Sequence, residues 1–202
     1  MNEKKLKVAV TGSIGSGKST FCGFLKKEGY PIIFADDIAK EILSLDLHVR
    51  DQIIKYFGKE AFSGKSVNKK FIAEAVFSNP KMLQRINSII HPAVRRKIDE
   101  IALQYFRNND IVFVEAALIY ESSIEKMYDL IVLILADKHI RELRALNSKK
   151  FSKKDFVQRD KSQLADEVKI NKADFVFYNS GTRKELQQKA LLLISILHSY
   201  LK

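Results

Sequence analysis

Gly12-Ser13-Ile14-Gly15-Ser16-Gly17-Lys18-Ser19 is the stretch that decides the fold. It is a complete G-x-x-x-x-G-K-S string. It follows the apolar run Val8–Val10 and opens a helical pattern over Lys18–Lys27, the placement such a loop needs between strand and helix. Glycines let consecutive backbone N–H groups turn inward as an anion nest. The helix that begins there adds a partial positive charge behind bound phosphates. Lys18 supplies a cation for the outer phosphates, and the Ser19 hydroxyl suits one coordination position on Mg²⁺. A plain glycine turn needs neither residue. The expected nucleotide-binding segment is therefore Gly12, Ser13, Ile14, Gly15, Ser16, Gly17, Lys18, Ser19 and Thr20, with Ser19 as metal ligand.

Working outward, short apolar runs bounded by turns predict buried strands at Val8–Val10, Ile32–Phe34, Ile111–Val114, Ile131–Leu135 and Phe175–Phe177. Helical patterns lie between them, so the chain reads as α/β with a parallel sheet covered on both faces. The spacing is uneven. From Ala35 to Asp110 lie about 75 residues, too many for one crossover helix, and a helical insertion is expected there. VRDQIIKYFG and NKKFIAEAVFS carry apolar residues at helical spacing. A second, strongly charged excursion, Asp137 to Asn171, reads as one or two helices joined by a lysine-rich turn, a candidate lid.

The chain has 202 residues, enough for one domain with an insertion and a sizeable core. A single cysteine, Cys22, excludes an intrachain disulfide and reads as a small buried residue. No run reaches the roughly 18 apolar residues that span a bilayer, and MNEKKLKVAVTG lacks the apolar core of a signal peptide. A cytoplasmic protein without membrane partner is expected. The net charge of +11 points to anionic partners, nucleic acid, acidic lipid or a polyphosphate ligand, without choosing between them. Its basic clusters, Lys4-Lys5, Lys69-Lys70, Arg95-Arg96-Lys97 and Lys149-Lys150 with Lys153-Lys154, read mainly as solvated surface.

Three chemistries share such a loop: GTPase switch, ATPase or nucleic-acid motor, and small-molecule kinase. Asn171-Lys172-Ala173-Asp174 matches N-K-x-D, which resembles the guanine-reading motif of GTPases. It precedes a strand-like run instead of following one, and no D-x-x-G occurs, so it reads as a decoy. A motor needs a larger core and an acidic pair, whereas Ile111–Val114 ends in the single Glu115, which either orients magnesium or faces solvent. A kinase needs an acid near the acceptor hydroxyl and cations over the transferring group. Strand two runs into Ala35-Asp36-Asp37, on the ligand face of a doubly wound sheet. Asp36 either takes the acceptor proton or caps the helix that follows. Arg141, Arg144 and Arg159 are the candidate cations in the lid-like excursion.

Taken in order, TGSIGSGKST, IIFADDIAKEI, INSIIHP, VFVEAALIYES, RDKSQ and ADFVFYNSGT resemble the dephospho-CoA kinase family over nearly the whole chain. The resemblance implies a P-loop NTPase fold: a three-layer α/β/α core with a five-stranded parallel sheet, a helical substrate-domain insertion and a helical lid. It implies a single kinase domain, 1–202, with residues 37–109 as the acceptor (CoA) subdomain and 138–165 as the lid. It implies ATP and dephospho-CoA as partners, Mg²⁺ as cofactor, no nucleic acid, and a monomer or weak homo-oligomer. The implied reaction moves the ATP γ-phosphoryl to the ribose 3′-hydroxyl of dephospho-CoA; another small-metabolite or nucleotide kinase is the alternative. The implied catalytic residues are Asp36, Lys18 and Arg144, with Arg141 the other candidate for the lid arginine. His91, Leu118, Glu121 and Arg95 fall near the acceptor, and Asn179 and Gly181 by the adenine. Arg159 stands four residues before Gln163, as in the family's R-x-x-x-Q element. As a bare residue, His91 before Pro92 reads instead as a helix boundary. Three positions depart from the pattern: Phe34 replaces the first acid of D-A-D, Ala117 replaces the proline of P-L-L-x-E, and the second lid arginine falls near Ser148 and Lys149.

Overall fold

The computed structural model describes residues 4–64, 66–148 and 151–201. In chain order the elements are β1 (Leu6–Thr11), α1 (Lys18–Lys27), β2 (Ile32–Phe34), α2 (Ala35–Leu45), α3 (Leu47–Phe57), β3 (Phe62–Ser63), β4 (Ser66–Val67), α4 (Lys69–Ser78), α5 (Pro80–Tyr105), β5 (Ile111–Glu115), β6 (Leu130–Leu135), α6 (Lys138–Asn147), α7 (Lys153–Ser162), α8 (Asp166–Ile170), β7 (Phe175–Tyr178) and α9 (Arg183–Leu201).

Five strands form one parallel sheet in the order β2-β5-β1-β6-β7. β1 lies between β5, with Val8 opposite Phe113, and β6, with Val10 opposite Val132. All six residues of β6 are buried, as are the first four of β5. Such uninterrupted apolar runs are what a sheet covered on both faces requires. α1 turns Phe21, Cys22 and Leu25 inward, and Phe21 packs on Phe177 of β7 with ring centroids 5.7 Å apart. α9 buries Leu186, Ala190, Leu193 and Leu197, a spacing of four, three and four on one helical face. Among the described residues no helix is long and apolar enough to cross a membrane.

The chain divides into two compact units. One is built from the described residues of Met1–Ile33 and Ala102–Lys202 and holds the sheet core. The other is Phe34–Ile101. Within it α2 buries Ile38 and Ile42, and α3 buries Val49, Ile53 and Phe57. Asp46 caps α3 by accepting from the Val49 amide at 3.0 Å, and Asn68 caps α4 by accepting from Phe71 at 3.2 Å. The β3–β4 hairpin, two residues a side, has no period for a sequence to display.

Two local expectations are corrected. The helix after strand two starts at Ala35 with Phe34 at its N-cap. Asp36 and Asp37 thus lie inside the first turn, and neither caps through its side chain; their charges favour the helix N-terminus electrostatically instead. The helix does not end at His91-Pro92 either: α5 runs through Pro92, which removes only one ladder donor, the one the Ser88 carbonyl would accept.

Among its described residues the charged excursion holds three helices, α6, α7 and α8, where one or two were expected. α8 has five residues, too few for a periodic signal. α7 begins with a reciprocal capping box between Ser152 and Asp155. Of the lysine-rich turn, Lys149 and Lys150 lie outside the described residues.

Candidate active site

The loop between β1 and α1 takes its shape from its glycines. Gly15 (φ 77°) and Gly17 (φ 98°) sit in the left-handed region, which favours glycine. Neither has room for a side chain. A Cβ on Gly15 would meet the Arg141 carbonyl, and one on Gly17 would meet the Asn179 amide. Lys18, 9% exposed, folds back so that its Nζ donates to the carbonyls of Gly12 at 2.9 Å and Ser13 at 3.4 Å. The ammonium is thereby held at the loop's rim in a fixed place. Cys22 lies one turn further along α1, fully buried. Burial pushes its thiol well above the ordinary value, Glu115 adds to this, and Lys18 partly offsets it. It is an inert core residue.

Around this loop is a cavity of about 500 Å³, within the range of small-molecule sites. Lys18, Ser19, Arg144, Phe151, Asn179 and Arg183 line it, so three cations and one aromatic ring meet there. Asn179 is its hub. The Nδ2 donates to the Ser16 carbonyl at 2.7 Å, the backbone N–H donates to Leu135 at 2.6 Å, and the carbonyl accepts from Arg144 at 2.8 Å. One residue at the end of β7 thus joins β6, the loop and α6. Gly181 lies exposed at the turn into α9, where the absence of a side chain leaves room for the Glu185 carboxylate.

The two candidates for a lid arginine part company. Arg144 lines the cavity. Arg141 is 5% exposed, and its Nη1 donates to Asp160 at 2.6 Å and to the Ile14 carbonyl at 3.3 Å. Arg159 stacks on Phe151 with its guanidinium carbon 4.9 Å from the ring centre. Gln163 accepts from the Ile14 amide at 2.9 Å and so fixes the loop from outside. Ser148 lines the cavity, its hydroxyl donating to the Ala145 carbonyl at 2.7 Å, while Lys149 lies outside the described residues.

For a metal, the relevant pair is Ser19 and Glu115. The Ser19 hydroxyl donates to Glu115 Oε1 at 3.0 Å, joining the start of α1 to the end of β5. Among the described residues no cluster of three His, Cys, Asp or Glu side chains could hold an ion alone. Mg²⁺ rarely needs one, since it keeps waters and shares one or two protein oxygens with substrate phosphates. The residues fit that mode.

In the loop after β5, Leu118 is exposed, whereas Glu121 turns inward. Glu121 Oε1 accepts from the Leu164 amide at 2.8 Å and lies 3.4 Å from Lys169 Nζ. Burial, with Asp174, Glu125 and Glu121 nearby, pushes the Tyr120 hydroxyl up to about 12. In the Phe34–Ile101 unit, Asp36 is exposed in the first turn of α2. His91 and Arg95 are successive turns of α5. Burial, and then the Arg95 charge, hold the His91 ring below the ordinary histidine value, so it is neutral at pH 7.

Residues 6–185 match the family model for dephospho-CoA kinase. The chain belongs to the dephospho-CoA kinase family. It is an ATP-dependent kinase. The dephospho-CoA kinase of Protochlamydia amoebophila is 33% identical over 98% of this chain and 99% of that one. That of Chlorobium luteolum is 36% identical over 94% and 90%. Among solved structures, the dephospho-CoA kinase from Campylobacter jejuni superposes with TM-score 0.70 at 30% identity, covering 95% of this chain and 96% of that one. TT1252 from Thermus thermophilus does so with TM-score 0.84 at 26% identity, covering 96% and 98%.

Within this family member, two site features escaped sequence reading. Phe151 and Arg183 line the cavity, yet one is hidden in a lysine run and the other opens an ordinary helix. The N-K-x-D string has a structural job. Asp174 accepts from the Ile131 amide at 2.7 Å and its own N–H donates to the Ile131 carbonyl at 3.0 Å, setting the start of β7 against β6.

Proposed function

We propose that this chain transfers the γ-phosphoryl of MgATP to the ribose 3′-hydroxyl of dephospho-CoA, giving CoA and ADP. The observation that supports this best is the convergence of Lys18, Arg144 and Arg183 on one cavity at the phosphate loop, in a member of that family. The loop amides of Gly12 to Thr20 and the α1 dipole hold the β- and γ-phosphates. Asn179 fixes the nucleotide end of the cavity wall, with Gly181 beside it. Ser19 would hold Mg²⁺, and Glu115 would orient its waters. When bound, the ion neutralises charge on the β- and γ-oxygens.

Asp36 accepts the proton of the acceptor hydroxyl as its oxygen bonds to the γ-phosphorus and the bond to ADP breaks. Lys18 and Arg144 stabilise the charge spread over the equatorial oxygens. His91, Arg95, Leu118 and Glu121 serve the acceptor side, residues 37–109 form the acceptor subdomain, and 138–165 form a lid that excludes water. The enzyme works in the cytoplasm as a monomer or weak homo-oligomer.

The test is ADP release from MgATP with dephospho-CoA present or omitted, with adenosine, AMP and shikimate as rival acceptors. ADP formed only with dephospho-CoA, beside a product that runs as CoA, is expected. ADP formed with a rival keeps the phosphoryl chemistry and removes the substrate. Equal rates without acceptor make the chain an ATPase.

A further inference from the structure

Behind the phosphate loop lies a charged group that the transfer scheme leaves unused. Lys169, on α8, has 0% of its surface exposed. A buried ammonium is costly without partners, and an apolar side chain of similar size would fill the space more cheaply. The partners are specific. Lys169 Nζ donates to Ser13 Oγ at 3.2 Å and lies 3.4 Å from Glu121 Oε1. The Ser13 hydroxyl, itself 3% exposed, donates to Asp166 Oδ1 at 2.7 Å. Its one proton goes to Asp166 while a lone pair faces Lys169, which leaves the side chain one orientation. Asp166 is in turn 3.9 Å from Arg141 Nη2.

Ser13 belongs to the phosphate loop, and its carbonyl accepts from the Ser16 amide at 3.1 Å and from Lys18 Nζ at 3.4 Å. A shift of Ser13 therefore moves the resting place of Lys18. Glu121 belongs to the loop after β5. Lys169 bonds both segments at once through buried, charged contacts; Gln163 adds a second, longer link, accepting from the Ile14 amide at 2.9 Å and donating to the Ala117 carbonyl at 3.5 Å.

We propose that Lys169 is a positioning residue for phosphoryl transfer, one that fixes the phosphate loop against the loop following β5 by holding Ser13 Oγ and Glu121 Oε1 together. Its effect on nucleotide binding needs only the phosphate loop; that the second loop faces the acceptor rests on the function proposed above. A lysine that merely neutralised Glu121 would change stability and leave the loop alone.

The experiment is calorimetric titration of MgADP into the full chain and into Lys169→Met, Ser13→Ala, Glu121→Gln and the Ser13→Ala/Lys169→Met pair, each checked for folding by circular dichroism. Each folded single variant is expected to weaken MgADP binding by about three- to tenfold. The pair should lose less than about twofold beyond its worse member, as sites sharing one bond do. Unchanged affinity in Ser13→Ala, or losses that multiply in the pair, overturns the proposal. Should Lys169→Met not fold, Ser13→Ala and Glu121→Gln decide it, unchanged affinity in either one being the adverse result. The titration needs no acceptor. A chain that shows these losses but makes no CoA retains the Lys169 lock and loses the acceptor assignment.

Discussion

Sequence reading assigns one carboxylate, Asp36, to proton transfer and another, Glu121, to the acceptor side, and their surroundings set them apart. Asp36 stands exposed in the first turn of α2, whereas Glu121 bonds the Leu164 amide and faces Lys169. An exposed carboxylate can take a proton from an arriving hydroxyl; one already shared among internal donors is better suited to hold a loop. Replacing Asp36 with Asn keeps shape and removes the proposed base. Turnover is expected to fall at least about 100-fold, the usual scale of a positioned general base, with MgATP affinity within about twofold. Steady-state rates with equilibrium titration check this, and a variant of full activity removes Asp36 as base. The phosphate loop was legible because its chemistry is written in eight consecutive residues. The Lys169 contact was not, since Ser13 and Lys169 stand 156 positions apart and nothing local marks them.

At the scale of elements, legibility followed length and period. The core strands announce themselves as apolar runs, because both faces of β5 and β6 are covered. α8 and the β3–β4 hairpin are too short to show a period, and α5 passes through a proline that sequence reading took for an end. The join of α6 to α7 uses charge beside the buried Phe156 ring, whose centre sits 6.0 Å from the Arg141 guanidinium carbon. Asp160 accepts from Arg141 at 2.6 Å and pairs with Lys138 at 3.0 Å. Burial alone would raise its carboxyl, but the hydrogen bonds and charges of Arg141 and Lys138 outweigh that and hold it below the ordinary value of 3.8. A depressed folded-state pKa means the stabilisation is complete above the unfolded value and is lost as pH falls through the folded one. Asp160→Asn is therefore expected to cost about 2 kcal/mol at pH 7, in the range of hydrogen bonds to charged groups. The gap to the parent chain should close as pH falls below about 4. Urea melts at pH 7, 5, 4 and 3 measure it. A gap that stays constant down to pH 3 means the ion pair is not its source.

For the whole molecule, a net charge of +11 does not choose among nucleic acid, acidic lipid and polyphosphate ligands. The arrangement of charge separates them better than its sum. Lys18, Arg144 and Arg183 are gathered in one concave site, where a compact polyphosphate can meet all three cations. A ligand that binds only the folded chain stabilises it by about 2.7 kcal/mol at one hundred times its dissociation constant. For a chain of 202 residues that corresponds to a rise in Tm of about 5–10 °C. MgADP is expected to give this rise, and chelating the metal with EDTA should remove more than half of it, if Ser19 and Glu115 contribute through the ion as proposed. A rise of equal size with and without EDTA would detach that pair from the metal. No rise with either would leave the three cations without their nucleotide. Single-stranded RNA at matched phosphate concentration should give a small shift that vanishes at about 200 mM salt, as diffuse counterion-driven binding does. An RNA shift that survives that salt would return the basic surface to the centre of the molecule's function.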